Sequence, residues 1–532
     1  MGHEANIRLI RTLEKQIEEG KGNAIDLKRA RNSLLNVSTR VPPEILAQIF
    51  AWSLFREAGL SLDSPSHFDG LRKGSYNFLL VCHHWFEVAS HTPELWSFWG
   101  NTLRDWKKRH HRSRAAPLDL VLYECELDAF FDESLQDAVK SRVMQDTIRQ
   151  VHLRSYNPDI LTSIISSLTP NDESGQNKNI ESIVWRNGAF TSVSVSNFFA
   201  RSRLPRLRLL HLTGDFHISS WDHLAPRTTL LTALSLEMNN SLSSPSPTTS
   251  QLFSILTSNP NLRELRLSNA ALPNDIDEST FQVSLQHLKM LSLGGDFRRL
   301  FELLHRLALP QALDEMRLTI SDPTMEDISR TLAPYMRDYF RRDARFQDAL
   351  EIASASSYGF VTAGVARAQA STQAPWMSVT LDLDPIPPPY VLEQFLINLI
   401  APTPRELAVS FAADLDMKLP EELLFMMPNI DTLSICGVRL SKGFFQPNLD
   451  GPYAKTKLLP SLRSLSLGDI TLDDGNWGHL MTYLAHQTSG DQVISLRLFG
   501  KFPYIRPEAA NEVKDLVEEF IYYQDPGAKP DA

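Results

Sequence analysis

Cysteine is scarce in this sequence, and long apolar runs are missing from it. Its three cysteines, Cys82, Cys125 and Cys436, lie far apart among 532 residues, without disulfide or metal-ligand spacing. This pattern favours a reducing compartment, the cytoplasm or nucleus. No stretch approaches the roughly 18 apolar residues of a membrane-spanning helix. The first residues alternate charged and apolar positions instead of forming a secretory signal. We therefore expect no membrane partner.

An excess of positive charge is also lacking. The chain has 53 lysines and arginines against 63 aspartates and glutamates, which gives a formal net charge of -10. A nucleic-acid partner is not expected, because such proteins carry a basic balance or a basic face. The hydrophobic share of 42% is ordinary for a folded protein. Such a length predicts at least two domains or a repeat array.

Catalytic signatures are missing as well. The sequence contains no P-loop, no G-x-S-x-G, no H-E-x-x-H and no C-x-x-C. The pairs His83–His84 and His110–His111 lack companion ligands at zinc spacing. Asp382 and Asp384 share one side of a predicted strand and are interpreted as solvated acids. We predict no catalytic residue, no metal, no cofactor and no enzyme activity.

Residues 1–38 predict a helical segment. Ile10, Leu13 and Ile17 recur at three- and four-residue spacing, and Gly20 interrupts the pattern, so two short helices or one bent helix are expected. Two alternatives remain open for its apolar face. The helix packs back on its own protein, or it pairs with another helix in a short coiled coil.

Residues 39–100 predict a small all-helical module. Pro42 and Pro43 suit a helix start, because a proline there loses no hydrogen bond. The apolar stripe that follows includes Ile45, Leu46, Ile49 and Phe50. A polar loop from Arg56 to Tyr76 precedes a second predicted helix, Tyr76 to Ser90, and Pro93 ends that helix. Residues 101–116 form a basic linker, interpreted as a solvated helix end or, alternatively, as a nuclear-localisation signal.

One pattern recurs from residue 117 to residue 523, namely two apolar residues that flank one polar residue. Its best copies end at Leu212, Leu267 and Leu467. The weaker copies end at Leu122, Leu153, Trp185, Leu236, Leu293, Leu318, Val409, Ile435 and Leu498. Neighbouring copies recur at 24 to 32 residues where they are clearest. This is the pattern of leucine-rich repeats, whose period is about 20–29 residues.

The sequence therefore predicts an α/β fold, with the helical segment and helical module followed by an irregular leucine-rich-repeat solenoid. Parallel strands are expected on its concave face and helices outside, because single repeats cannot bury their leucines alone. A strand is also expected within Gln347–Ile352. Pro507 to Tyr523 is predicted as one helix that caps the array, and residues 524–532 as a disordered tail.

The segment from Val41 to Trp96 resembles the F-box, and the arrangement as a whole resembles the F-box proteins with leucine-rich repeats found in mushroom-forming fungi. The resemblance implies binding to a Skp-type adaptor protein and, through it, to a cullin. The residues that it implies for adaptor binding are Pro42, Pro43, Ile45, Leu46, Ile49, Phe50, Leu80, Val81, Cys82, Trp85, Val88, Leu95 and Trp96. The family function would be substrate recognition in a cullin–RING ubiquitin ligase.

The target of such a receptor is not specified by the sequence. We expect a target protein to contact the polar strand positions beside the inward leucines. These candidates are His211, Thr213, Ser235, Glu237, Arg266, Ser268, Ser292, Arg317, Ser434, Ser466 and Arg497. The alternative is a leucine-rich scaffold whose degenerate F-box is a helical cap without a ligase role. A docking module should leave several hundred Å² of apolar surface exposed, whereas a cap should not.

Overall fold

The fold is known from a computed structural model. It describes residues 3–20, 23, 26–28, 30–31, 41–57, 78–99, 106–113, 116–123, 133–144, 146–170, 177–219, 221–238, 246–269, 271–273, 275, 282–310, 313–321, 327–332, 334–335, 349–355, 360–365, 376–382, 406–410, 418–419, 429–436, 439–440, 459–468, 474–488, 495–500, 507–517 and 519–524. The chain divides into two compact units, Met1–Asn259 and Pro260–Ala532. Both combine α-helices with a mainly parallel β-sheet. Residues 58–76 of the predicted Arg56–Tyr76 loop and the predicted tail beyond residue 524 lie outside the described residues, whereas Arg56 and Glu57 belong to a helix.

The first unit begins with helices and continues with alternating strands and helices. Its helices are α1 His3–Glu18, α2 Pro43–Glu57, α3 His83–His91, α4 Trp106–Ser113, α5 Glu133–Met144, α6 Pro158–Leu168, α7 Ser196–Arg201 and α8 Thr249–Thr257. Its strands are β1 Phe98–Trp99, β2 Leu118–Tyr123, β3 Ile148–Ser155, β4 Ser182–Asn187, β5 Val193–Ser194, β6 Leu209–Gly214, β7 Phe216–His217 and β8 Ala233–Met238. The predicted interruption near Gly20 is confirmed, because α1 ends before a turn in which Gly20 has φ +63.

Six strands of the first unit pair in the order β1, β2, β3, β4, β6 and β8, and every pair is parallel. The predicted repeat ends lie side by side in this sheet. Leu122, Leu153, Trp185, Leu212 and Leu236 occupy facing positions on successive strands, and all five are buried. Burial of each such side chain contributes about 1.5–3 kcal/mol, so a slip of one residue would expose the whole row.

Two helices of the first unit begin at residues whose side chains satisfy free backbone N–H groups. The Asn157 side chain accepts hydrogen bonds from the Asp159 and Ile160 amides at the start of α6. Thr248 and Gln251 form a reciprocal capping box at the start of α8. Apolar residues of both helices are buried, so the helices cover apolar surface.

The second unit contains more strands and fewer described helices. Its strands are β9 Glu264–Asn269, β10 Val283–Ser284, β11 Met290–Asp296, β12 Leu307–Ala308, β13 Glu315–Ser321, β14 Ala349–Ala355, β15 Phe360–Val365, β16 Trp376–Asp382, β17 Glu406–Ser410, β18 Lys418–Leu419, β19 Thr432–Cys436, β20 Arg439–Leu440, β21 Ser464–Gly468, β22 Ser495–Gly500 and β23 Glu519–Gln524. Its helices are α9 Phe297–Arg306, α10 Asp474–Thr488 and α11 Pro507–Leu516. The strand expected within residues 347–352 is confirmed by β14.

The strands of the second unit again place the predicted leucines in register. Leu267, Leu293 and Leu318 face one another on β9, β11 and β13. Val409, Ile435, Leu467 and Leu498 do the same on β17, β19, β21 and β22. Between these two runs the chain departs from the parallel pattern, because β15 pairs antiparallel with both β14 and β16.

The predicted C-terminal helix is wrong in its second half. Helix α11 ends at Leu516, and Glu519–Gln524 forms β23 in parallel pairing with β22. Phe, Ile and two Tyr residues dominate this strand, and aromatic and β-branched side chains favour extended backbone. The free edge of β22 offers the hydrogen bonds that a continued helix would have made internally.

Candidate functional site

The helical module of residues 41–99 has a compact apolar core. Helix α2 packs against α3, and the short 3-10 turn Pro93–Trp96 closes the group. The buried core residues are Leu46, Phe50, Val88, Ala89, Leu95, Trp96 and Val121. Val121 belongs to β2, so the module shares its core with the first full strand of the sheet.

Aromatic rings join the two halves of this core. The Phe50 ring stacks on Phe78 with centroids 4.3 Å apart and lies 4.8 Å from the Trp85 ring. Residues 78–81 are helical, and the extended Cys82 separates them from α3. The single helix predicted from Tyr76 to Ser90 is therefore interrupted. Both segments on either side of Cys82 contribute a ring that contacts Phe50.

A set of apolar side chains in the same module remains exposed. Ile45 and Ile49 lie one turn apart on α2 and are 46% and 50% exposed. Leu80 is 81% exposed, Val81 53% and Phe86 42%. We call Ile45, Ile49, Leu80, Val81 and Phe86 the exposed apolar set. Their combined exposed area is on the order of several hundred Å², the size of the contiguous apolar patches that mark interaction sites.

The structure divides the residues predicted for adaptor binding into two groups. Pro42, Pro43, Ile45, Ile49, Leu80 and Val81 are exposed, and Cys82 and Trp85 are half-buried. The buried group comprises Leu46, Phe50, Val88, Leu95 and Trp96, which present little surface in the free chain, so their predicted role in adaptor binding stays a prediction. The sequence pattern predicts a single apolar stripe on α2. In the structure, Leu46 and Phe50 face α3, whereas Ile45 and Ile49 face outward.

Trp96 fixes the basic segment against the module. Its Nε1 atom donates to the Ala89 carbonyl oxygen at 2.7 Å. The guanidinium carbon of Arg112 lies 4.3 Å from the ring centroid of Trp96, and that of Arg109 lies 5.7 Å away. Arg109 is buried. Two arginines of α4 thus cover an aromatic ring, whereas His111 is exposed, so the helix is solvated only in part.

Two further contacts connect this region to the sheet. Strand β1 pairs with β2, so Phe98 faces Asp119 and Trp99 faces Leu120. The buried Arg142 of α5 donates from Nη2 to the Ser113 hydroxyl at 2.6 Å. Helix α4 is thus held between the module and the layer of helices that follows.

The residues predicted for target binding do lie in polar rows beside the leucines. In the second unit Arg266, Ser292 and Arg317 face one another on adjacent strands, as do Ser434, Ser466 and Arg497 on another run. Ser268 lies on β9 two positions after Arg266. Arg317 and Arg497 are exposed, and the four serines and Arg266 are half-buried.

The first unit differs, because two of the residues predicted for target binding are buried there. His211 and Ser235 are each only 3% exposed, so neither presents surface to a partner. Their hydrogen bonds point to residues on their own strands. His211 Nε2 and Thr213 Oγ1 lie 2.6 Å apart, and the Ser235 hydroxyl donates to Glu237 Oε1 at 3.2 Å. Thr213 and Glu237 are half-buried at the end of the same rows.

Charged residues in these rows pair within the sheet. Arg266 Nε lies 2.7 Å from Glu264 Oε1, and Arg317 bonds Glu315 two residues earlier on its strand. Arg497 lies 3.5 Å from Glu519 of the neighbouring β23. A partner would have to compete with these local carboxylates.

A buried polar pair of the first unit joins β3 and β4. His152 Nε2 lies 2.9 Å from the Ser182 hydroxyl oxygen, and His152 is 3% exposed. Burial, followed by the nearby charge of Arg186, lowers the pKa of His152 to about 4. This histidine is therefore neutral at neutral pH, and its place in the sheet is structural.

No protein-family model matches this chain, and a comparison with curated proteins finds no match. Function is therefore inferred from the geometry of the helical module and of the rows of polar residues on the strands.

Two exposed aromatic residues are not among the site residues predicted from the sequence. Tyr156 and Phe190 follow β3 and β4, outside the repeated leucine pattern, and both are strongly exposed. The signal that could have identified them is position, because Tyr156 directly follows β3 and Phe190 comes three residues after β4.

The part of the chain that the structure describes contains neither a metal-binding group nor a membrane-spanning helix. No group of three or more His, Cys, Asp or Glu side chains there could hold a metal ion. Within the same residues, no helix is long and apolar enough to cross a membrane.

Proposed function

We propose that this protein is a non-enzymatic substrate-recognition subunit of a cullin–RING ubiquitin ligase. The helical module would bind a Skp-type adaptor, and the sheet units would bind a target protein, in the cytoplasm or the nucleus. The observation that supports the proposal is the exposed apolar set of Ile45, Ile49, Leu80, Val81 and Phe86 beside a well-packed core. A helical module that only sealed the sheet would bury these side chains.

We infer further that both units are leucine-rich-repeat arrays. The support is the register, since the repeated leucines face one another on successive parallel strands in each unit. Flanking helices that bury apolar residues supply the second layer that such arrays need. A receptor of this kind contributes by holding its target close to the ligase, and no bond chemistry is required of the chain itself.

The alternative is a leucine-rich scaffold whose helical module serves as a cap and has no ligase role. Val121 of β2 in the module core and the pairing of β1 with β2 favour it, because they attach the module to the sheet as a cap would be. The two functions differ in what covers the exposed apolar set. The receptor requires an adaptor there, and the scaffold requires none.

The deciding experiment measures binding of the full chain to a purified Skp-type adaptor. We expect the wild-type chain to bind, and the double variant Leu80→Glu/Val81→Glu to lose at least about tenfold in affinity, because charges enter an apolar contact. Leu230→Glu is the matched control, since Leu230 is 47% exposed on the first unit outside the module. Absence of adaptor binding by the wild-type chain would refute the receptor and leave the scaffold.

A further inference from the structure

An aromatic surface occupies the carboxyl ends of β3 and β4 in the first unit. Phe190 is 100% exposed and Tyr156 is 58% exposed. A single exposed aromatic side chain is common on proteins, but two on neighbouring loops with an arginine at their rim have the composition of interface hot spots.

Tyr156 contacts the loop that carries Phe190. The Tyr156 ring lies on the backbone of Gly188, where an added Cβ would come within 2.3 Å of ring atoms. Phe190 follows two residues later, so its Cα lies within about 7 Å of the Gly188 Cα. Arg154 Nη2 donates to the Tyr156 hydroxyl oxygen at 3.3 Å. The glycine therefore makes room for a ring whose outer face is left to solvent.

The loop that presents Phe190 is held by a buried side chain. Asn187 donates from Nδ2 to the carbonyl oxygens of Thr191, at 2.8 Å, and Asp215, at 2.7 Å. Its Oδ1 atom accepts from the Ala189 amide at 3.1 Å. These bonds fix the backbone on both sides of the loop, so binding costs less backbone ordering entropy there.

Charge near the rings favours an acidic ligand. Arg154 and Arg186 occupy facing positions on β3 and β4, which places their backbones about 4.8 Å apart. Carboxylate residues near these rings include Asp215, whose side chain is buried and whose backbone carbonyl accepts a hydrogen bond from Asn187. They also include Asp159, in the first turn of α6, and Glu237, two strands beyond Arg186 and bonded to Ser235. The arginine pair thus lies nearer to Tyr156 along the sheet than Glu237 does, and guanidinium groups bind carboxylates in paired hydrogen bonds.

We propose that Arg154, Tyr156 and Phe190 form a binding surface for an acidic polypeptide segment in which a carboxylate adjoins a large apolar side chain. The apolar side chain packs on the two rings, and the carboxylate binds the Arg154–Arg186 pair. The surface is independent of the adaptor docking proposed above, because none of its residues belongs to the helical module.

The test measures binding of fluorescein-labelled short peptides to the full chain by fluorescence anisotropy. The probe repeats Asp-Leu-Glu-Phe, and its controls repeat Lys-Leu-Lys-Phe and Asp-Ser-Glu-Ser. We expect the probe to bind with a Kd at or below about 1 mM and each control at least about tenfold more weakly. Phe190→Ser and Arg154→Gln should each weaken the probe at least about fivefold, a typical loss for a hot-spot residue.

Matched variants test whether probe binding depends on this surface alone. Gly188→Ala displaces the Tyr156 ring without removing a binding group, and it should weaken the probe while Leu230→Ser leaves its affinity unchanged. Leu80→Glu should also leave it unchanged, whereas Phe190→Ser should leave adaptor binding unchanged. No binding of the probe, equal binding of the basic peptide, or equal affinity in Phe190→Ser and wild type would overturn the proposal.

Discussion

The buried His152 makes the stability of the first unit depend on pH. The folded-state pKa of His152 is about 4, against 6.5 for an unperturbed histidine. The unfolded chain therefore binds a proton between these values and the folded chain does not, so stability falls as pH decreases through this window. The full difference amounts to about 3 kcal/mol, of which about 2 kcal/mol is lost between about pH 7.5 and about pH 5.

The perturbation is His152→Gln, which removes the ionisable ring and leaves a polar side chain opposite the Ser182 hydroxyl. The variant is expected to lose stability at every pH, because the packing around residue 152 changes. Its further loss on acidification should be smaller than that of the wild type by about 2 kcal/mol. His223→Gln is the control, since His223 is an exposed histidine of the same unit.

Hydrogen–deuterium exchange is the suitable assay, because it reports the opening free energy of β3 and β4 separately from the rest of a long chain. Wild type and variant are compared at each pH, so the pH dependence of intrinsic exchange cancels. The comparison also isolates His152 from Asp119, whose pKa is raised by burial and which therefore changes stability in the opposite direction. Equal losses in wild type and His152→Gln would refute the assignment of a neutral buried histidine.

Three further predictions concern stability. Phe50→Ala should lower the free energy of unfolding of the module by about 3–5 kcal/mol in thermal or denaturant unfolding, whereas Ile49→Ala, at an exposed position, should lower it by well under about 1 kcal/mol. Similar costs would contradict the assignment of Phe50 to the buried face of α2 and of Ile49 to its exposed face. Arg112→Gln should cost about 1 kcal/mol and speed exchange in α4, because the cation over Trp96 is lost; unchanged exchange would count against that contact. Gly214→Ala should destabilise by about 2 kcal/mol or more in urea unfolding, since φ is +103 and a Cβ would meet a carbonyl oxygen at 1.9 Å; an unchanged midpoint would contradict this geometry.

The strands were the most predictable part of this fold. A Leu-x-Leu pattern alternates with the pleat, and parallel neighbours with the same pattern bury their leucines only in one register. Leu212 and Leu236 could therefore be placed opposite each other before any coordinates, and they are. The antiparallel β15 carries no such pattern, and β23 resembles an amphipathic helix until the free edge of β22 is considered.

The candidate site was less predictable, because burial depends on what faces a side chain. Ile45 and Phe50 belong to one apolar stripe, yet only the packing of α3 decides which is covered. His211 and Ser235 occupy polar strand positions, yet both are buried in the structure. Periodicity predicts the direction of a side chain relative to its own backbone, but it does not predict how deeply other residues bury that side chain.

The pairing of β1 with β2 protects the edge of the sheet from self-association. Without Phe98 and Trp99, the backbone of β2 would present a row of unsatisfied N–H and C=O groups at the border of a parallel sheet. Such borders recruit strands from other molecules and begin aggregation. Removal of residues 1–116 would therefore expose the unpaired edge of β2. The shortened chain should form higher-order assemblies at concentrations where the intact chain does not.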